Sequence, residues 1–236
     1  MATANQTIST PFGQVSQVTT GPGQTLIHTV ANWMWLPMIM MGVMAIAAAV
    51  GLGVAQAQIS SDLGEEFTAL RQANFETLKP LTGGFTFLGL ALLLSGIAFL
   101  LGTILGALRW GGGEVQEAVD QPVMALIMPW SAKLFLALMM MGLMAELAAF
   151  GTLVYVSTQA HSAWIGATAA GAPGDAAALD RAATYAVWAN PLRLAAVGLI
   201  LTSIVFALFT ISNVLGLQFM RIRVLIAIGQ QGGGTQ

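Results

Sequence analysis

Glu146 is the residue with the sharpest chemistry in this chain. It interrupts an otherwise apolar run, MMGLMAELAAFG, from Met140 to Gly151. A charged side chain at the centre of a membrane span costs roughly 2.5–3.5 kcal/mol on insertion scales, so a partner is expected. If neighbouring helices run antiparallel, mid-depth falls near Ser95, Thr202 and Ser203, whose hydroxyls are the candidate partners. Two chemistries suit such a carboxyl: a proton or cation site, or a protonated glutamic acid that hydrogen-bonds across helices or to another subunit.

The methionines form a second set. Met40/Met44 and Met140/Met144 are each four apart, as is Met34/Met38, so each pair lies on one helix face. Thioethers are soft ligands suited to Cu(I). The pairs resemble the MxxxM element of high-affinity copper transporters, which implies Cu(I) binding at these sulfurs. Those transporters have a different helix count and a Met-rich outer arm. Methionine also fills irregular packing, and that reading needs no metal. His28 and His161 fall just before the first apolar run and just after the third, where either could ligate a metal or pigment at a membrane boundary. The sequence requires no cofactor.

Other chemistries are excluded by what the chain lacks. There is no cysteine, hence no disulfide and no thiol nucleophile, and no HExxH or Ser/His/Asp set. Gly111-Gly112-Gly113 is followed by Glu114, so it is no phosphate loop. No enzyme is expected. A net charge of −2 without any basic run argues against nucleic acid.

The elements that must carry these residues are set by hydropathy. With 56% hydrophobic against 8% charged residues and a mean hydropathy of +0.78, the chain describes an integral membrane protein. No charged residue precedes Asp62, so a signal peptide is not indicated and a retained N-terminus is expected. Residues 1–24 are polar and read as a flexible arm. Apolar runs over about 33–57, 81–108, 134–156 and 191–217 predict four transmembrane helices. Between the first two, residues 58–80 suit a short amphipathic interfacial helix. The three glycines at 111–113 predict a surface turn with Glu114, Glu117 and Asp120. The apolar piece Pro122 to Trp130 predicts an interfacial or re-entrant segment, Asp175 suits the cap of a short helix to about Trp188, and GQQGGGTQ reads as a polar tail.

MMGVMAIAAAVG, from Met40 to Gly51, returns as MMGLMAELAAFG a hundred positions later. At that fixed offset residues 25–51 and 125–151 share eleven identities in twenty-seven, Leu26/Leu126 and Ile27/Ile127 among them. The expected fold is therefore an all-α membrane protein of four transmembrane helices, a duplicated two-helix hairpin. Residues 25–120 form one copy and 121–236 the other, in parallel repeats. Small residues four apart, Ala45/Ala49, Ala145/Ala149 and Ala98/Gly102/Gly106, mark the helix-packing faces. Lys and Arg are shared evenly between the two sides. The set closest to the helix ends, Arg109, Lys133, Arg221 and Arg223, inclines both termini to the cytoplasm of a bacterial inner membrane. The function expected is that of an accessory or structural subunit of a larger membrane protein complex. Its partners are the lipid bilayer and other integral membrane subunits or further copies of itself. The alternative is an oligomeric transporter or channel that uses Glu146 and, for Cu(I), the Met pairs.

Overall fold

A backbone surrounded by lipid must satisfy its own N–H and C=O groups, and a single apolar segment can do so only as a helix. The computed structural model describes residues 7–10, 13–17, 22–65, 67–117, 124–126, 129–168 and 172–232; side chains are described for 29–64, 67–108, 129–168, 172–220, 222, 223 and 226. Its elements are strands β1 (Thr7–Thr10) and β2 (Gly13–Gln17), helices α1 (Pro22–Glu65) and α2 (Ala69–Glu117), strand β3 (Met124–Leu126), and helices α3 (Trp130–Ile165) and α4 (Ala176–Gly232). Each long helix holds a stretch apolar enough to cross a membrane: Thr29–Gly64, Ala69–Leu108, Trp130–Ile165 and Ala176–Met220. At 1.5 Å per residue even a 36-residue stretch spans about 54 Å, well beyond the roughly 30 Å hydrocarbon layer.

The helices outrun the apolar patterns that predict them. Residues 58–80 are not a separate interfacial helix. They close α1 and open α2, with Thr68 capping the latter through Arg71 N (3.3 Å to Oγ1). Pro80 and Pro191 lie inside α2 and α4, and Gly111 to Gly113 lie inside α2, so no turn forms there. In water such residues end helices. Beside a lipid-facing run the helix is the conformation that keeps neighbouring backbone groups paired. Asp175 does cap α4, accepting from Ala178 N at 3.1 Å, but the helix continues past Trp188 without a break.

The polar stretch 1–24 contains two strands, the first rich in β-branched residues (Thr7, Ile8, Thr10). β1 pairs antiparallel with β2, Thr7 opposite Ser16, and β2 pairs with β3, Val15 opposite Leu126. Part of the segment read as interfacial or re-entrant is thus a sheet strand. Leu126 is strand where Leu26 is helix, although the residue is the same. Pro129, a hundred positions after Thr29, stands just before α3. Its own carbonyl accepts from Ala132 N (3.0 Å), which starts α3 afresh.

The chain divides into two compact units. The unit of Leu36–Ile97 and Leu138–Leu201 is built on close helix crossings. A Cβ added at Gly42 would lie 2.9 Å from both the Gly89 carbonyl and Leu93 N. One added at Gly142 would lie 2.9 Å from the Ala196 carbonyl and 3.1 Å from Ile200 N. Both hairpins, α1/α2 and α3/α4, therefore cross with backbone against backbone at the same glycine of the same motif. α2 meets α3 through Gly84 on Leu153 and through the Phe85 and Phe150 rings, whose centroids are 5.0 Å apart. At the turns, Ala73, Ala163, Trp164, Ala167 and Ala178 form a small core, and Gly174 backs directly onto Gly166.

In the other unit, of Met1–Trp35, Ala98–Ala137 and Thr202–Gln236, Val214 and Leu217 of α4 pack against Leu105 and Leu108 of α2. Gln218 Nε2 donates to the Leu108 carbonyl at 2.7 Å. Ser131 and Thr210 share a buried hydrogen bond of 2.8 Å between α3 and α4, and Gly102 of α2 faces Ala31 of α1. In both units alanines dominate the buried set, while Met, Leu, Val, Trp and Phe dominate the exposed one. That inversion of a water-soluble core is the packing logic of lipid, where small residues let backbones approach. The stripes expected to pack mostly do: Ala45, Ala49, Ala98 and Ala149 are buried, and Ala145, Gly102 and Gly106 are half-buried.

Gly42→Ala or Gly142→Ala should therefore destabilise the fold by about 1–3 kcal/mol, because the new methyl meets backbone that must move. Gly51→Ala and Gly151→Ala, where an added Cβ meets nothing within 4 Å, should be close to neutral. Thermal unfolding in detergent micelles distinguishes the two pairs.

Candidate functional site

The Gly142 crossing determines what Glu146 meets. From that contact, one helical turn forward along α3 corresponds to one turn backward along antiparallel α4, which brings Glu146 to the level of Arg193 and Leu194. The Tyr155 and Tyr185 rings, edge to face at 5.1 Å, carry the same register onward. Glu146 is completely buried, and neither carboxylate oxygen has a hydrogen-bond partner in the protein. Arg193 is close enough for its charge to act on that carboxyl.

Arg193 is held by residues of two helices. Its guanidinium lies over the Phe87 ring of α2, with Cζ 4.6 Å from the centroid. Nη2 donates to Asn190 Oδ1 one turn back on α4. Nη1 fits against Gly83, where a Cβ would stand only 3.1 Å away, so the absence of a side chain there makes room for the group. Nε is buried without a hydrogen-bond partner. An Arg stacked on an aromatic face keeps part of its favourable environment on leaving water, which suits it to a site inside the membrane.

The hydroxyls expected to serve Glu146 are placed differently from one another. Ser95 is fully buried with its Oγ unpartnered, Ser203 is fully buried, and Thr202 is exposed. The partner that the apolar runs did not suggest is Arg193. With helix four starting near Pro191, Arg193 reads as a boundary charge. With α4 starting at Ala176 it lies about five turns inside a helix. The signal was present in residues 182–192, which carry no charge before Arg193.

Met40, Met44, Met140 and Met144 are all exposed, at 57%, 68%, 45% and 61%, and their pairs point outward. Among the described residues no group of three or more His, Cys, Asp or Glu converges on a point. His161 Nδ1 lies 3.3 Å from Thr77 Oγ1, which itself donates to the Ala73 carbonyl at 2.6 Å. With the Thr77 hydroxyl donating to Ala73, the Nδ1–H tautomer of His161 would complete this pair. The side chain of His28 lies outside the described residues. No family model matches the chain, and comparison with curated proteins and with solved structures yields no significant match.

Arg193→Ala should destabilise the fold by on the order of 1–3 kcal/mol, since it removes the charge facing a buried carboxyl. Phe87→Leu should cost less, about 0.5–1 kcal/mol from the lost cation–π contact. Chemical denaturation in micelles gives both values.

Proposed function

We propose that the chain is a non-catalytic, multi-pass membrane subunit, a structural or accessory component of a larger membrane complex. The observation that carries this reading is a pair of matching outward stripes. Met41, Met44, Ala48 and Gly51 on α1, and Met141, Met144, Ala148 and Gly151 on α3, are all exposed. An added Cβ at Gly51 or Gly151 meets nothing within 4 Å. Small residues on a helix surface in lipid favour the close approach of another helix, and adaptable methionines on either side suit the same contact.

The two hairpins are copies of one ancestor in this reading. Besides the α1/α3 identities, residues 89–110 of α2 and 196–217 of α4 share eight identities in twenty-two at an offset of 107, including Phe99/Phe206 and Thr103/Thr210. Both threonines donate to the carbonyl of that phenylalanine, at 3.2 and 2.8 Å. The larger offset corresponds to a longer connection in the second hairpin. An even number of spans puts both termini on one side, the cytoplasmic side of a bacterial inner membrane on the Lys/Arg pattern.

A second reading, proton or cation translocation, draws on the buried carboxyl of Glu146. It ranks behind the first because a permeation pathway needs more polar lining than these apolar helices provide.

With a tag after Gln236 and mild detergent, defined subunits in fixed ratio should co-purify. Gly51→Leu or Gly151→Leu should reduce their yield several-fold while leaving the unfolding temperature nearly unchanged. Recovery of the chain alone or as a homo-oligomer contradicts the subunit reading. Loss of transport in a folded Glu146→Gln variant would then favour the second.

A further inference from the structure

Three polar atoms of the α3/α4 site are buried and unpartnered: Glu146 Oε1, Glu146 Oε2 and Arg193 Nε. They are complementary, two acceptors without donors and one donor without an acceptor, on facing helices and within electrostatic range of each other. No direct hydrogen bond joins them. We propose that internal water bridges Arg193 to Glu146 and that the Glu146 carboxyl is a proton-exchanging site inside the membrane.

Water suits these unpartnered atoms chemically. Its oxygen accepts from Nε–H and its hydrogens donate to the carboxylate, which satisfies polar groups that would otherwise be costly to bury. A dry, bidentate Arg–carboxylate pair would lock the carboxylate in its charged form. A water-separated pair leaves both oxygens facing a molecule that can deliver a proton. The exchange balances as carboxylate plus hydronium giving carboxylic acid plus water, and it takes the pair from net zero to +1.

No other acidic or basic side chain competes for that proton at this level. α1 has none between His28 and Asp62, and α2 none from Leu81 to Leu108. α3 has none between Lys133 and His161 apart from Glu146, and α4 none between Arg181 and Arg221 apart from Arg193. The nearest others on α3 are thus about 20 Å away along the helix. Arg193, stacked on Phe87 and tied to Asn190, is the positioning residue that sets the field at the carboxyl.

This inference goes beyond the subunit reading and does not rest on it, because it can be read from the chain with or without co-purifying partners. Infrared spectra of the full chain in lipid nanodiscs, recorded over a series of pH values, test it. Among the protonated-carboxyl C=O bands that grow as pH falls, one should vanish in Glu146→Gln and shift within minutes of transfer to D2O. In Arg193→Gln its titration midpoint should move by about one to three pH units. If Glu146→Gln does not fold, Glu146→Asp keeps a carboxyl in altered surroundings and should shift the band. A spectrum without a Glu146-dependent band, a band that does not exchange, or a midpoint indifferent to Arg193 overturns the proposal.

Discussion

The constraint on which this architecture depends is the meeting of backbone with backbone at Gly42 and Gly142. In lipid there is no hydrophobic reward for bringing helices together, since the acyl chains are as apolar as leucine. What remains is dispersion between closely fitted surfaces. That requires positions where a side chain would hold the helices apart. The reciprocal fit at Gly89, where a Cβ would come within 2.9 Å of the Gly42 carbonyl, shows how little room is left. The buried alanines continue these crossings, and the large apolar residues turn outward because the interior has no space for them.

The two hairpins differ where one of them carries charge. At the offset of 100 Glu146 aligns with Ile46, and at the α2/α4 offset of 107 Arg193 aligns with Thr86. The acid and the base thus appear together in the second hairpin, and neither occurs in the first. In the first hairpin Ile46 packs over Gly89, while in the second the corresponding position is Ala196 and the level below holds the charge pair. A buried charge pair is a poor stabiliser compared with well-packed apolar groups of the same volume. Its presence in only one of two otherwise matching crossings therefore points to use rather than to packing, which is why the carboxyl is read as a proton site.

Much of this was legible in the residues themselves. Four apolar runs of membrane length, the isolated Glu146 and the Asp175 cap each depend on a short-range rule that tertiary context seldom overrides. The helix ends were not legible, because Pro80, Pro191 and Gly111 to Gly113 stop helices in water and do not do so here. That single difference hid Arg193, since a helix begun at Pro191 leaves it at the boundary. The strands were hidden for another reason: residues 7–10 and 13–17 lie in a polar stretch and pair with each other, and the sheet is completed by Met124–Leu126 on β2, a partner far away in sequence.

Glu146 and Arg193 must act as one unit across α3 and α4 if the site is to hold a proton as described. A double-mutant cycle of Glu146→Gln and Arg193→Gln, followed by reversible unfolding in micelles, measures that directly. The coupling free energy should be about 1 kcal/mol or more, with the double variant more stable than the sum of the single losses implies. Additive losses would mean that the two side chains do not sense each other, and the site as described would not exist.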